Sequence, residues 1–171
     1  MKKETNSNMK KMMILILLVV AATSWAIGDG LVLAKPEFKI GNDNAKSMTP
    51  MLSLMADELA LDLEKRADLR IDSTKESLAA RLTCVIQDVK SSTTVFQGST
   101  YKAWNTRVAV PVQLRLQPSA GKMQERNFTI VKRLRSTSGE PRLDDAFYRS
   151  MAREIVNQCY EELVGIIRIL N

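Results

Sequence analysis

The stretch Val108-Ala109-Val110-Pro111-Val112-Gln113-Leu114-Arg115-Leu116 sets an apolar side chain at every second position and leaves Ala109, Pro111, Gln113 and Arg115 between them. A period of two is that of a half-buried β-strand, one face toward a core and one toward solvent. Pro111 falls on the solvent face; having no N–H for a ladder, it predicts an edge strand or a bulge. On the N-terminal side a second alternating run places Leu78, Ala80, Leu82, Cys84 and Ile86 on one face. Between the two, the Ser/Thr-rich residues 91–100, with Gly98, read as a connecting loop. On the C-terminal side Pro118-Ser119-Ala120-Gly121 predicts a turn, and a third run puts Phe128, Ile130 and Leu134 on one face, interrupted by Lys132.

Each of these strands has one apolar face, and two helical segments offer cover. Thr49-Pro50 reads as a helix start, a hydroxyl cap followed by proline at the first helical position. Met51, Leu52, Met55, Leu59 and Leu63 continue it at helical spacing to about Arg66. After Ser136-Thr137-Ser138-Gly139-Glu140-Pro141, the residues Phe147, Met151, Ile155, Cys159, Leu163 and Ile167 recur at four-residue steps. Ala152, Val156, Tyr160, Val164 and Ile166 widen that stripe to the breadth of a helix lying across a sheet. A short strand at Pro36-Glu37-Phe38-Lys39-Ile40, ended by Gly41-Asn42-Asp43-Asn44, completes the order β-α-β-β-β-α. The expected fold is an α+β two-layer sandwich, two helices on one face of a mostly antiparallel four-stranded sheet.

The 171 residues suit one such domain, residues 27–171, plus a terminal appendage. Lys2, Lys3, Lys10 and Lys11 precede an apolar run from Met12 to Ala22, which is the order of a secretory signal. Ser24-Trp25-Ala26 offers a small-x-small cleavage pattern, with Val32-Leu33-Ala34 as a second choice; left uncleaved, residues 1–26 form a membrane anchor. Part of the net charge of +6 belongs to that segment. The chain has no histidine, which removes Ser-His-Asp and Cys-His nucleophiles and histidine-bearing metal sites. No paired-carboxylate set replaces them, and Ser99, Ser136 and Ser138 have no base partner, so the expectation is a protein that is not an enzyme, with no cofactor and no metal.

Charge is unevenly placed. Lys90, Lys102, Arg107, Arg115, Lys122, Arg126, Lys132, Arg133 and Arg135 fall within residues 90–138, where Glu125 is the lone acid. Alternation puts Arg107 and Arg115 on the solvent face of their strand, and Arg133 and Arg135 opposite Phe128 and Ile130, so one open surface collects guanidinium groups suited to phosphate. Phosphorylated lipid or an acidic protein surface fits better than nucleic acid, because the loops offer few aromatics beyond Tyr101 and Trp104 and an exported protein rarely meets nucleic acid. Cys84 and Cys159 fall on apolar faces that should meet, a placement that admits a disulfide or two buried free thiols equally.

Several local runs resemble the lipopolysaccharide-assembly lipoprotein E family: Thr49-Pro50-Met51-Leu52-Ser53-Leu54-Met55-Ala56-Asp57-Glu58-Leu59, Cys84-Val85-Ile86-Gln87-Asp88-Val89, and Thr93-Thr94-Val95-Phe96-Gln97-Gly98. The resemblance, which covers most of the chain past the signal, implies helices on a four-stranded sheet. It also implies seating as a chaperone-like plug on the periplasmic side of an outer-membrane β-barrel translocon, in contact with lipopolysaccharide. By position it carries lipopolysaccharide contact to Lys102 and to Arg133 and Arg135. Members of the family are lipidated on a cysteine ending the signal, whereas no cysteine here precedes Cys84. The alternative expectation is a periplasmic accessory subunit of another secretion or transport machine with the same fold.

Overall fold

The computed structural model describes residues 31–72 and 79–170. The signal or anchor read over residues 1–26 lies outside the described residues. The chain runs β1 (Leu31–Leu33), β2 (Glu37–Ile40), a 3-10 helix (Asp43–Met51), α1 (Leu52–Glu64), β3 (Leu69–Ile71), β4 (Arg81–Ile86), β5 (Lys90–Gln97), β6 (Lys102–Gln117), β7 (Gln124–Ser136) and α2 (Asp145–Leu170). The α+β class is as expected. The sheet is mostly antiparallel, as β6 pairs antiparallel with β4, β5 and β7, but it has five strands where four were expected and is mixed, because β2 runs parallel to β4.

β6 is the spine. Its 16 residues carry β7 along one edge, and along the other β4 over residues 112–117 and β5 over residues 102–109. β4 and β5 thus share one edge of β6, broken at Gln87-Asp88-Val89. Pro111 stands at that break: Gln87 donates its N–H to the Pro111 carbonyl at 2.9 Å, and the donor that Pro111 lacks faces the gap. The proline is accommodated by an interruption inside a central strand and not by an edge. Residues 91–100, expected as loop, are therefore mostly the strand β5.

The even-numbered residues of β6 from Thr106 to Leu116 are buried, and both helices pack on this face. From α2 come Phe147, Met151, Ile155, Cys159, Leu163 and Ile167, the four-residue series read from the sequence; from α1 come Met55, Leu59 and Leu63. Helical structure starts before Thr49-Pro50, at Asp43, where the Asn42 side chain accepts from the Asn44 N–H at 3.0 Å; Pro50 lies inside the 3-10 helix. At α2, Asp144 accepts from the Phe147 N–H at 2.9 Å and caps the first turn, a contact that stabilises a helix by about 1 kcal/mol. Past α1, the Arg66 guanidinium grips Asp68 through two bonds of 2.8 and 2.6 Å and holds that carboxyl below its usual range.

β1 and β3 form a separate two-stranded parallel sheet. Leu33 is fully buried, the Ala34 N–H donates to the Ala80 carbonyl at 2.8 Å, and the Ala80 N–H donates to Val32 at 2.9 Å. Cleavage after Ala34, the second choice above, would strip a strand from the fold; cleavage after Ala26 leaves it whole. Among the described residues no helix is long and apolar enough to cross a membrane.

Candidate functional site

With both helices on one side, the other face of the sheet is left uncovered by the described residues. In the β6–β7 register Arg107 lies opposite Arg133, Asn105 opposite Arg135, and Arg115 opposite Glu125. Arg107 also pairs with Ser92 on β5. Backbone bonding alternates along a strand, so Arg107 directs its N–H and C=O toward β5 and meets Arg133 as a non-hydrogen-bonded pair. That is the closer kind, about 4.5 Å between Cα atoms. Two like charges directly opposite destabilise a sheet. Arg107, Arg133 and Arg135 are exposed, and among the described residues none has a carboxylate within 4.0 Å. A sheet that tolerates this arrangement holds three guanidiniums free to meet an anion.

The other sequence-derived residues divide. Arg115 shares the open face, yet its Nε lies 3.0 Å from Glu125 Oε1, which neutralises it, and eight residues along β6 put it roughly 26 Å from Arg107. Lys102 is on the helix side of the sheet, at the tip of the β5–β6 hairpin, where its Nζ sits 4.9 Å above the Trp104 ring. It is not part of the arginine cluster. Lys132 is also on the helix side and bonds Glu154 of α2 at 3.0 Å; the residue that interrupted the apolar alternation is a latch between the layers.

Two features carried no sequence signal. Asn105, between Thr94 and Arg135 in the ladder, has a buried Oδ1 without a hydrogen-bond partner, as does Asp88 at the β4–β5 break. Thr106 is the buried polar residue of the core; its hydroxyl lies 3.0 Å from that of Thr93, which in turn donates to Glu140 at 2.7 Å and ties β5 to the segment before α2.

No family model matches the chain, and no curated protein matches it. Solved structures share its outline. A minor lipoprotein from Acinetobacter baumannii is 10% identical, with 77% of this chain covering 94% of that one at a TM-score of 0.45. A neuraminyllactose-binding hemagglutinin homologue from Helicobacter pylori is 12% identical, with coverages of 85% and 84% and a TM-score of 0.46. Rare lipoprotein B from Shewanella oneidensis is 16% identical, with coverages of 82% and 93% and a TM-score of 0.39. Likeness of this extent assigns neither family nor activity.

Cys84 on β4 and Cys159 on α2 meet across the sheet–helix interface as expected. They are free thiols, both fully buried. Burial pushes the Cys84 thiol well above its usual range, the neighbouring sulfur adding to the effect, so it is a poor nucleophile. Among the described residues no three His, Cys, Asp or Glu side chains gather as a metal set.

Proposed function

We propose that the protein is a non-enzymatic component of the cell envelope, exported to the periplasmic side of the outer membrane. There it assists lipopolysaccharide transport or assembly as a plug or chaperone-like partner of a β-barrel translocon. The observation that carries this reading is the Arg107, Arg133 and Arg135 cluster on the uncovered sheet face. A guanidinium fork matches phosphate oxygens two at a time, and three forks on neighbouring strands suit a lipid headgroup bearing more than one phosphate. The rigid sheet holds them at strand spacing, so little ordering cost is left to binding.

The partner is tested by a detergent pull-down of the C-terminally tagged chain from its native envelope, with mass spectrometry of the copurifying proteins and of the bait's N-terminus. A large outer-membrane β-barrel recovered with a bait trimmed after Ala26 is the expected result. An inner-membrane or secretion-machine partner with an intact Met1 segment contradicts it and favours the accessory-subunit reading.

A further inference from the structure

We propose that the free edge of β5 is a docking site for an extended, acid-bearing segment of a partner protein, which adds to the sheet as its next strand. All eight residues of β5 are exposed, and among the described residues β5 pairs with β6 alone. The Gly98 N–H donates to the Tyr101 carbonyl at 2.9 Å at the hairpin end. Alternation down the ladder makes 96–103, 94–105, 92–107 and 90–109 the hydrogen-bonded pairs. The N–H and C=O groups of Ser91, Thr93, Val95 and Gln97 therefore point away from β6, and among the described residues no backbone bond reaches them.

Proteins usually guard such edges with charge, proline or brevity. β7, the other long edge, does so with Glu125, Arg126, Lys132, Arg133 and Arg135, and β2 is four residues long with Glu37 and Lys39. β5, Lys90-Ser91-Ser92-Thr93-Thr94-Val95-Phe96-Gln97, has one charge, at its start, and neither proline nor glycine. Val95 and Phe96 are 46% and 52% exposed, one on each face. A partner strand gains main-chain bonds from the edge and side-chain contacts from these two residues.

Charge selects the occupant. An incoming strand lies beside Lys90, whose contact with Asp88 is loose at 3.9 Å, with Arg107 and Arg133 on the next strands of the open face and Lys102 at the far end. A second copy of β5 would bring the same cations together, and like fields disfavour that pairing. Glutamates on the open face of an incoming strand offset the field, and β-branched residues on its other face meet Val95 and Trp104. The main-chain groups of this edge are separate from the phosphate contacts proposed above, while Arg107 and Arg133 contribute charge to both.

The test uses the full chain in detergent and two labelled octapeptides, one alternating glutamate with valine and one alternating lysine with valine. Fluorescence anisotropy is expected to show the acidic peptide binding at least 10-fold more tightly. Val95→Pro removes an outward N–H without removing a β5–β6 bond, and should weaken binding at least 10-fold. In the wild-type chain the amides of Ser91, Thr93, Val95 and Gln97 should exchange at least 10-fold more slowly once the acidic peptide is added, a readout that stands even if the proline variant misfolds. Equal affinity for both peptides, or unchanged exchange at those amides, overturns the proposal. Dimerisation that protects the same amides without peptide overturns it in favour of self-pairing.

Discussion

The chain carrying Arg107→Glu, Arg133→Glu and Arg135→Glu will keep its fold and lose at least about 100-fold in affinity for lipopolysaccharide vesicles. Three charge-assisted contacts at about 1 kcal/mol or more each supply that factor, since 1.4 kcal/mol is tenfold. The fold survives because the triple change replaces one like-charged cross-strand pair by another at 107 and 133 and touches no buried group. The single change Arg133→Glu separates the two effects. It converts a repulsive pair into an attractive one, worth about 0.5 kcal/mol of added stability, while removing a phosphate contact. Thermal melts read the first effect and vesicle cosedimentation the second. Unchanged affinity in the triple variant would remove the arginine cluster from the binding surface.

The second large effect concerns the layer that holds this surface rigid. Ile155 is fully buried in the middle of α2, between Met151 and Cys159 on the stripe that covers the sheet. Ile155→Ala deletes buried carbons and leaves a cavity, at a cost of about 2–5 kcal/mol. For a domain of this size that lowers the melting midpoint by roughly 6–15 °C. Glu161→Ala, on the exposed side of the same helix, should stay within about 0.5 kcal/mol of wild type. Urea melts of both variants check the pair. Equal midpoints would mean that α2 does not lie on the sheet as described.

What the sequence revealed follows from where burial writes a pattern. β6 and α2 were legible because each must hide one face, and apolar residues at steps of two and four record it. β5 was missed because all of its residues are exposed: the ladder to β6 holds it, and hydrogen bonding to a neighbour leaves no hydropathy pattern. β1 and β3, three residues each, are too short to show a period. The 3-10 turn before α1 was hidden by its own cap, because Asn42 in Gly41-Asn42-Asp43-Asn44 reads equally as a turn former. Within the site, alternation alone placed Arg107, Arg115, Arg133 and Arg135 on one face. It also puts Lys102 in step with Val108, hence on the helix side. Register across the β6–β7 turn was not legible, and register is what pairs Arg115 with Glu125 while leaving Arg107 against Arg133.

The measurement that bears most directly on the cationic face is a titration of the full chain with lipopolysaccharide and with the same glycolipid stripped of its phosphates. Guanidinium recognition predicts binding at least 10-fold weaker to the dephosphorylated form, and loss of the difference as salt screens the exposed charges. Equal affinity for the two glycolipids would contradict it and show that whatever the open face binds, it does not bind phosphate.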